Sequence, residues 1–347
     1  MDETIFDYVV AKEIAAYWET RQAEQGMPPY LGDILFPSTQ QLGLELSYIK
    51  GAKGMPVELN LSAFDAKSIK RNRIGFSEVR TRMPFFKNSM SIDEELRQQL
   101  LMAIQAGNRN FIDRIIAKIF QDNVKLIEDA AVTREKMRMQ LISTGTIVMA
   151  NNGQEYNYNY NLPVSHKVTP DTAWSSANAD PIADIIKWQD VIENEGYGRP
   201  TRAITSRSVL RNLMKNANIK NAVYVFSQGK VALNETALRA YIAEETGVTI
   251  EVYEKKYIGL DGVATRFIPE DLFILIPDGN LGETVFGTTP EEADLIGSGK
   301  ANVSIVDTGV AVTTTEEVDP VSVTTKVSQI CMPSFEAADQ IIIADVI

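Results

Sequence analysis

A single long apolar period limits the folds open to this chain more than any other feature. From Phe111 the apolar residues recur as Ile112, Ile115, Ile116, Ile119, Phe120, Val124 and Ile127, and the pattern runs on through MRMQLIST to Gly145. Spacings of three and four residues are the period of an amphipathic helix. Residues 109–143 would then form one helix about 50 Å long, a beam rather than one stave of a small bundle. Two ordinary packed helices are the alternative.

The flanks of this run carry their own signals. SIDEE places Ser91 as a helix N-cap and Glu94 at the third helical position, a capping box, with Asp93, Glu94 and Glu95 where negative charge is favourable. Leu96, Leu100, Leu101 and Ile104 carry an apolar face to Gly107–Asn108, which reads as a break. Earlier, DETIFDYVVAKEIAAYWETRQ reads as a short amphipathic helix with Ile5, Tyr8, Val9 and Ala16 near one face. It gives way at GMPPYLGDILFP, where Pro28, Pro29 and Pro37 favour an extended path. Residues 1–43 therefore read as an arm.

Between arm and capped helix the character changes. LELSYIKGAKGMPVELNLSAF reads as strand, turn and strand, and IKRNRIGFSEVRTRMPFF as a returning strand, so residues 44–90 form an extended hairpin. Residues 50–87 hold nine basic residues (Lys50, Lys53, Lys67, Lys70, Arg71, Arg73, Arg80, Arg82 and Lys87) against Glu58, Asp65 and Glu78, a net +6 on a chain of net -12. The remainder is thus -18. Ordering costs about 1–2 kcal/mol per residue, which two strands do not recover from each other. Either the hairpin is flexible alone or it lies on something else. At about 3.3 Å per residue, an arm of ~20 residues reaches ~65 Å.

Further on, TIVMANNGQEYNYNYNLPVSHKV reads as a hairpin through Asn152–Gly153 with Tyr156, Tyr158 and Tyr160 on one face. Such a stripe can stack nucleic-acid bases or pack against a helix, and an acidic chain favours packing. Asp180–Pro181 opens a second region. Helices DPIADIIKWQDVIENEG, SRSVLRNLMKNA and NETALRAYIAEETG interleave with strands RAITS, TIEVYEKKYI, TRFIP and DLFILIP, two of them joined by a turn at Asp261–Gly262. That is an α/β or α+β pattern. GNLGETVFGTTPEEADLIGSG is glycine-rich and surface-like. PVSVTTKVSQICMPSFEAADQIIIADVI then reads as strand, turn and strand, paired into a sheet beside the hairpin near 147–168, with Cys331 a small buried residue.

Composition excludes much chemistry. One histidine and one cysteine leave no Cys/His zinc cluster, no multi-histidine metal site and no intrachain disulfide, which suits assembly in a reducing interior. His166, in LPVSHKVTP, reads as a surface or hydrogen-bonded residue rather than a catalytic one. LIGSGKANVS imitates a phosphate loop but has Asp294 where the first glycine belongs, and Ala301 after Lys300. With 46 acidic residues, pairs such as Glu316–Glu317 arise by chance. No catalytic, cofactor or metal residue is assigned, and an enzyme is not expected. No apolar run approaches the ~20 residues that span a bilayer, and MDETIFDYVV lacks the basic start of a signal peptide.

The order of these segments resembles the bacteriophage major capsid proteins of the Hong Kong 97-type fold, and in particular the phage lambda major capsid protein E family. The resemblance is carried by GDILFP, TREKMRMQLISTGTI, DTAWS with ADPIADI, FIPEDLFILIP, and the stretch from PVSVTTKVSQ to IIIADVI, in the right order over nearly the whole chain. It implies an α+β fold with an N-terminal arm (1–43), an extended loop (44–90), a peripheral domain built on the long helix (91–180 and 305–347) and an axial domain (181–304). It also implies a structural protein that self-assembles, in the host cytoplasm, into hexamers and pentamers of an icosahedral head.

Such a head encloses double-stranded DNA without sequence-specific binding and without a membrane. The implied partners are other copies of the chain, a portal, in some relatives a decoration protein, and a separate scaffolding protein, because the recognisable body starts within the first forty residues. The basic loop would lie on the acidic body of a neighbour, with Lys67, Lys70, Arg71, Arg73, Arg80 and Arg82 as interface residues. Charge complementarity of that kind favours register and partner choice, and a head-to-tail contact closes into rings. An acidic lining would not retain DNA phosphates. Some relatives join subunits by a Lys–Asn isopeptide, for which Lys67 or Lys70 could be placed, but the sequence carries no sign of it and the branch it resembles typically relies on decoration proteins, so crosslinking is not expected. An encapsulin-like protein compartment of the same fold is the alternative. A nucleic-acid-binding role for Lys67–Lys87 is disfavoured by overall charge and by the absence of a recognition motif.

Overall fold

A computed structural model describes residues 9–25, 30–50, 77–107, 109–151, 154–224, 232–318 and 321–347. The chain opens with helices α1 (Ala11–Gln25) and α2 (Leu31–Leu35) and strand β1 (Ser38–Gln40). Strands β2 (Glu45–Lys50), β3 (Ser77–Arg82) and β4 (Phe85–Ser91) lead to helices α3 (Glu94–Gln105) and α4 (Arg109–Thr144). Next come β5 (Thr146–Asn151), β6 (Gln154–Asn159), β7 (Lys167–Val168), α5 (Pro181–Asn194), β8 (Arg202–Thr205), α6 (Arg207–Lys215), α7 (Ala217–Val223) and α8 (Glu235–Thr246). Strands β9 (Thr249–Val252), β10 (Lys256–Ile258), β11 (Ala264–Arg266), β12 (Leu272–Ile276) and β13 (Thr284–Phe286) follow, then β14 (Asn302–Val306), β15 (Val310–Val318), β16 (Val321–Pro333) and β17 (Ile342–Asp345). The chain divides into two compact units, the first Met1–Leu46, Arg80–Met137 and Glu283–Ser334, the second Ser47–Val79, Arg138–Gly282 and Phe335–Ile347.

The long apolar period forms a single helix, α4, of 36 residues, about 54 Å at 1.5 Å per residue. It stops at Gly145, whose φ of +74° suits the left-handed stop of a helix. A Cβ there would also come within 2.6 Å of Leu162 Cδ1, so the position excludes a side chain twice over.

Within the first unit, α4 buries Ile115, Ile119, Val124, Ile127 and Ala130. The same stripe then brings Arg134, a charge, into the interior. Its Nη1 donates to Gln329 Oε1 at 2.8 Å, its Nη2 donates to Asp307 Oδ2 at 2.9 Å, and the guanidinium lies 5.5 Å from the Phe286 ring centroid. Asp307 has a φ of +50° and turns the chain between β14 and β15. Its other carboxylate oxygen accepts from Trp18 Nε1 of α1 at 3.3 Å. Gln329 donates back to Ala130 O at 3.0 Å. Gly309, in the same turn, is required because a Cβ would meet Phe286 at 2.9 Å. One residue after Arg134, the buried Glu135 carboxylate accepts the Gly32 N–H of α2 at 3.1 and 3.3 Å.

The sheet of this unit has six strands, ordered β1-β13-β16-β15-β14 with β4 also on β16. Only the β1–β13 pairing is parallel. Here the expected capping box fails. Ser91 ends β4 opposite Thr324, and the two hydroxyls hydrogen-bond at 2.8 Å. Asp93 is the N-cap instead, accepting from Leu96 N at 2.7 Å. Ladder pairing claimed the serine, and an aspartate two residues on supplies an equivalent acceptor.

The second unit holds a five-stranded sheet ordered β7-β17-β12-β8-β9. Central β12 is buried along its whole length. Trp174, Trp188, Leu213, Leu238, Ile242 and Phe273 belong to its core, with Trp174 5.7 Å from Trp188 and 5.0 Å from Phe273. The helices begin where side-chain chemistry dictates: Asp180 caps α5 with Pro181 at its first position, and Ser206, Asn216 and Asn234 cap α6, α7 and α8. The turn at Asp261–Gly262 joins β10 and β11 as expected, but these two form a separate two-stranded hairpin. The closing segment is not a strand pair either. β16 belongs to the first unit's sheet, whereas β17 pairs with β12 and with β7.

Removing the guanidinium from the clamp leaves Asp307 and Gln329 without their shared donor. Arg134→Ala is expected to destabilise the chain by about 3 kcal/mol, read from urea unfolding of dissociated subunits. An unchanged midpoint would show that the clamp adds no stability.

Candidate interface

The basic segment starts and ends at a fixed base. β2 and β3 pair as a two-stranded sheet, so the chain leaves and returns at one place. Below it Met83 N donates to Leu44 O at 2.9 Å, and Leu46 and Met83 are buried. Of the expected interface residues, Lys67, Lys70, Arg71 and Arg73 lie outside the described residues. Arg80 and Arg82 are exposed on β3, and their spacing of two puts them on one face of the strand. Lys87 is exposed on β4, its Nζ 5.7 Å from the Phe85 ring centroid. Thus the structure places Arg80 and Arg82 side by side.

The other singled-out residues serve packing. His166 sits in a short turn, fully buried, its Nε2 hydrogen-bonded to Glu195 Oε2 at 3.0 Å. Cys331 is buried in β16. Tyr156 and Tyr158 stack nearly parallel, centroids 6.1 Å apart. Tyr160 is buried between Tyr48 and Phe335 at 6.4 and 6.1 Å, so at that end the stripe meets aromatic rings. Asn152–Gly153 lies outside the described residues. Gly297 and Gly299 of the imitation phosphate loop lie in a bend and turn after a short π-helical turn, Glu291–Leu295. A depression of 300 Å³ in the second unit is lined by Asp180, Ile182, Ile186, Asn218 and Tyr241, but the Asp180 carboxylate is engaged in capping α5. Among the described residues no group of His, Cys, Asp or Glu is arranged to hold a metal ion, and no helix is long and apolar enough to cross a membrane.

One ion pair went unseen in the sequence. Glu291 is buried, and Lys326 Nζ of β16 reaches its Oε1 at 2.6 Å. Burial pushes this carboxyl up, but hydrogen bonding and attraction from Lys326, with a backbone hydrogen bond, outweigh it and hold Glu291 below the usual glutamate range. The partners stand 35 residues apart on different elements, and nothing local in either stretch signals the pairing.

The sequence profile of the phage major capsid protein E family matches residues 11–346. Among solved structures, one described as a prophage capsid protein of E. coli CFT073 superposes with a TM-score of 0.59 at 14% identity, covering 98% of this chain and 99% of that one. A phage-related protein of Bordetella bronchiseptica RB50 superposes with a TM-score of 0.52 at 14% identity, covering 97% of each chain. These likenesses establish the fold. No curated protein matches the sequence.

A carboxyl whose folded pKa is lowered adds stability above its unfolded value, about 4.3, and loses it as pH falls through the folded value. Stability of the wild-type chain should therefore drop more steeply below about pH 4.3 than that of Glu291→Gln. Equal slopes in acid unfolding titrations would rule out this contribution.

Proposed function

Because this chain belongs to the phage major capsid protein E family, a family of structural proteins of the phage head, we propose that its copies form hexamers and pentamers of a closed icosahedral shell around double-stranded DNA. In this reading the basic segment straps onto the acidic surface of a neighbouring copy. The charge asymmetry carries the proposal: +6 over residues 50–87 against -18 over the rest. Within one chain such charges could satisfy each other only by folding the segment back. The paired base at β2 and β3 brings the two ends of the segment together, which supports its acting as one strap.

Complementary fields of this size choose partner and register more than they add affinity, which is what a shell of identical subunits requires. Repeated head to tail, the contact closes a ring. A scaffolding protein, a portal and a decoration protein are the further partners in this reading. The net negative remainder suits a container whose DNA must enter and leave, because bound phosphates would be held by cationic walls.

Negative-stain electron microscopy of the protein expressed in bacteria, alone and with a scaffold, tests the reading. The wild-type chain should give closed shells, or hexamers and pentamers. The double variant Lys70→Glu/Arg71→Glu should give folded subunits, by circular dichroism, that do not assemble. Shells of normal size and yield from the variant would overturn the strap.

A further inference from the structure

A second basic stretch stands apart from the hairpin segment. From Gly196 to Asn234 the chain carries no aspartate or glutamate and seven basic residues, although its net charge is -12. Three of the seven are held within the chain. Arg199 pairs with Asp190 and Glu193 at 3.5 and 3.4 Å, and Arg207 pairs with Glu235 at 3.6 Å. Arg202 donates to Pro277 O and Gly279 O beside Asp278. Lys230 lies outside the described residues. Arg211, Lys215 and Lys220 remain, and no acid among the described residues pairs with them.

α6 sets these cations in a row. Its inner side, Val209, Leu210 and Leu213, belongs to the core of the second unit, while Arg207, Arg211 and Lys215 are exposed at intervals of four residues. Each interval is about 6 Å of helix, close to two phosphate steps of one DNA strand at ~3.4 Å each. Arg211 Nε donates to Arg207 O at 3.3 Å, which holds its guanidinium along the stripe. Lys220 follows on α7, whose start is fixed by the buried Asn216. That side chain accepts from Ile219 N and donates to Ala179 O, both at 3.0 Å. Acids of the neighbouring elements are engaged elsewhere. Glu235 is shared by Arg207 and Arg239, Glu254 and Glu270 bind Arg266, and Asp180 caps α5. Glu244 and Glu245 lie at the far end of α8 from Glu235, and Glu251 is exposed on β9, on the face opposite the core residue Ile250.

What such a surface takes follows from what it lacks. None of the described residues of α6 and α7 exposes a large apolar side chain, and Ser208, Asn212 and Asn221 on the same helices are polar and accessible. Protein interfaces centre on apolar or aromatic anchors. A DNA backbone is held instead by Arg, Lys, Ser and Asn side chains, with no apolar centre. We propose that the α6 stripe, Arg211 and Lys215 with Lys220 beyond it, contacts the phosphate backbone of double-stranded DNA without reading its sequence. This rests on the shell reading above, which brings DNA to the chain. So few cations on a net negative body give a contact that salt dissolves, so the DNA is touched but not retained.

Fluorescence anisotropy at several salt concentrations measures the binding of a short labelled DNA duplex to unassembled subunits. Arg211→Gln/Lys215→Gln is expected to lower the slope of log affinity against log salt by about 1.8, at ~0.9 per phosphate contact. The change should be equal for duplexes of unrelated sequence. Arg211→Lys/Lys215→Arg, which keeps both charges, should keep the wild-type slope. The substituted side chains are solvent-facing, and circular dichroism checks that both variants fold. A wild-type slope in the glutamine variant, or no binding by the wild-type subunit, would overturn the proposal. Electron microscopy of the same proteins separates it from the shell reading. The glutamine variant should assemble as the wild type does; its failure to assemble would give the stripe to a neighbouring copy and overturn the DNA contact. A wild-type chain that never assembles, yet shows the expected slope change, would overturn the shell reading and leave the stripe standing.

Discussion

A buried guanidinium holds the first unit together. Arg134 reaches Gln329 on β16, Asp307 in the turn before β15 and the face of Phe286 on β13, while Asp307 also accepts from Trp18 of α1. Two strands and the turn before a third thus meet at one side chain on α4, and α1 joins them through Asp307. A charge there is costly unless hydrogen bonds surround it, and their directions allow few alternative packings of helix on sheet. Asp307 and Gly309 show the same requirement in the backbone. One accepts a positive φ so that its carboxylate can serve both Arg134 and Trp18, and the other gives up a side chain so that Phe286 can lie close.

A subunit of a shell needs a body that does not yield and segments that reach. The clamp and the Glu291–Lys326 pair tie helix or turn to sheet, and Glu135 ties α4 to α2, all through buried polar atoms. At the two ends of the basic segment β2 and β3 form a paired base, with Leu46 and Met83 buried. In the proposed strap, binding energy gained along the segment would not be spent on ordering its root. Charge divides along the sequence, net positive over residues 50–87 and net negative over the remainder.

Much of the fold was legible because it is local. The α4 period, the Asp180–Pro181 start, the helices of the second unit and the Asp261–Gly262 turn depend on neighbours within a few residues. Ser91 shows where locality fails. Its box pattern was sound, yet a β16 strand more than two hundred residues away claimed it for the sheet. His166 lost its ambiguity only when Glu195 came within reach. For the proposed interface, the sequence supplied the charge imbalance, and the structure shows Arg80 and Arg82 exposed on β3.

By itself, then, the sequence determined the long helix and the helices of the second unit, the charge asymmetry and, through ordered motifs, the family. Those are properties of residue order and short-range periodicity. It missed α2 in a stretch read as extended and the buried β13 in one read as surface-like. Only the tertiary structure decided that β16 and β17 part company into different sheets, that Arg134 would be the hub, and that Leu101 and Met102 would face outward. Each of those outcomes depends on which distant surfaces meet. Distant pairing is chosen by packing and by satisfaction of buried polar groups across the whole chain, and no window of neighbouring residues contains that information.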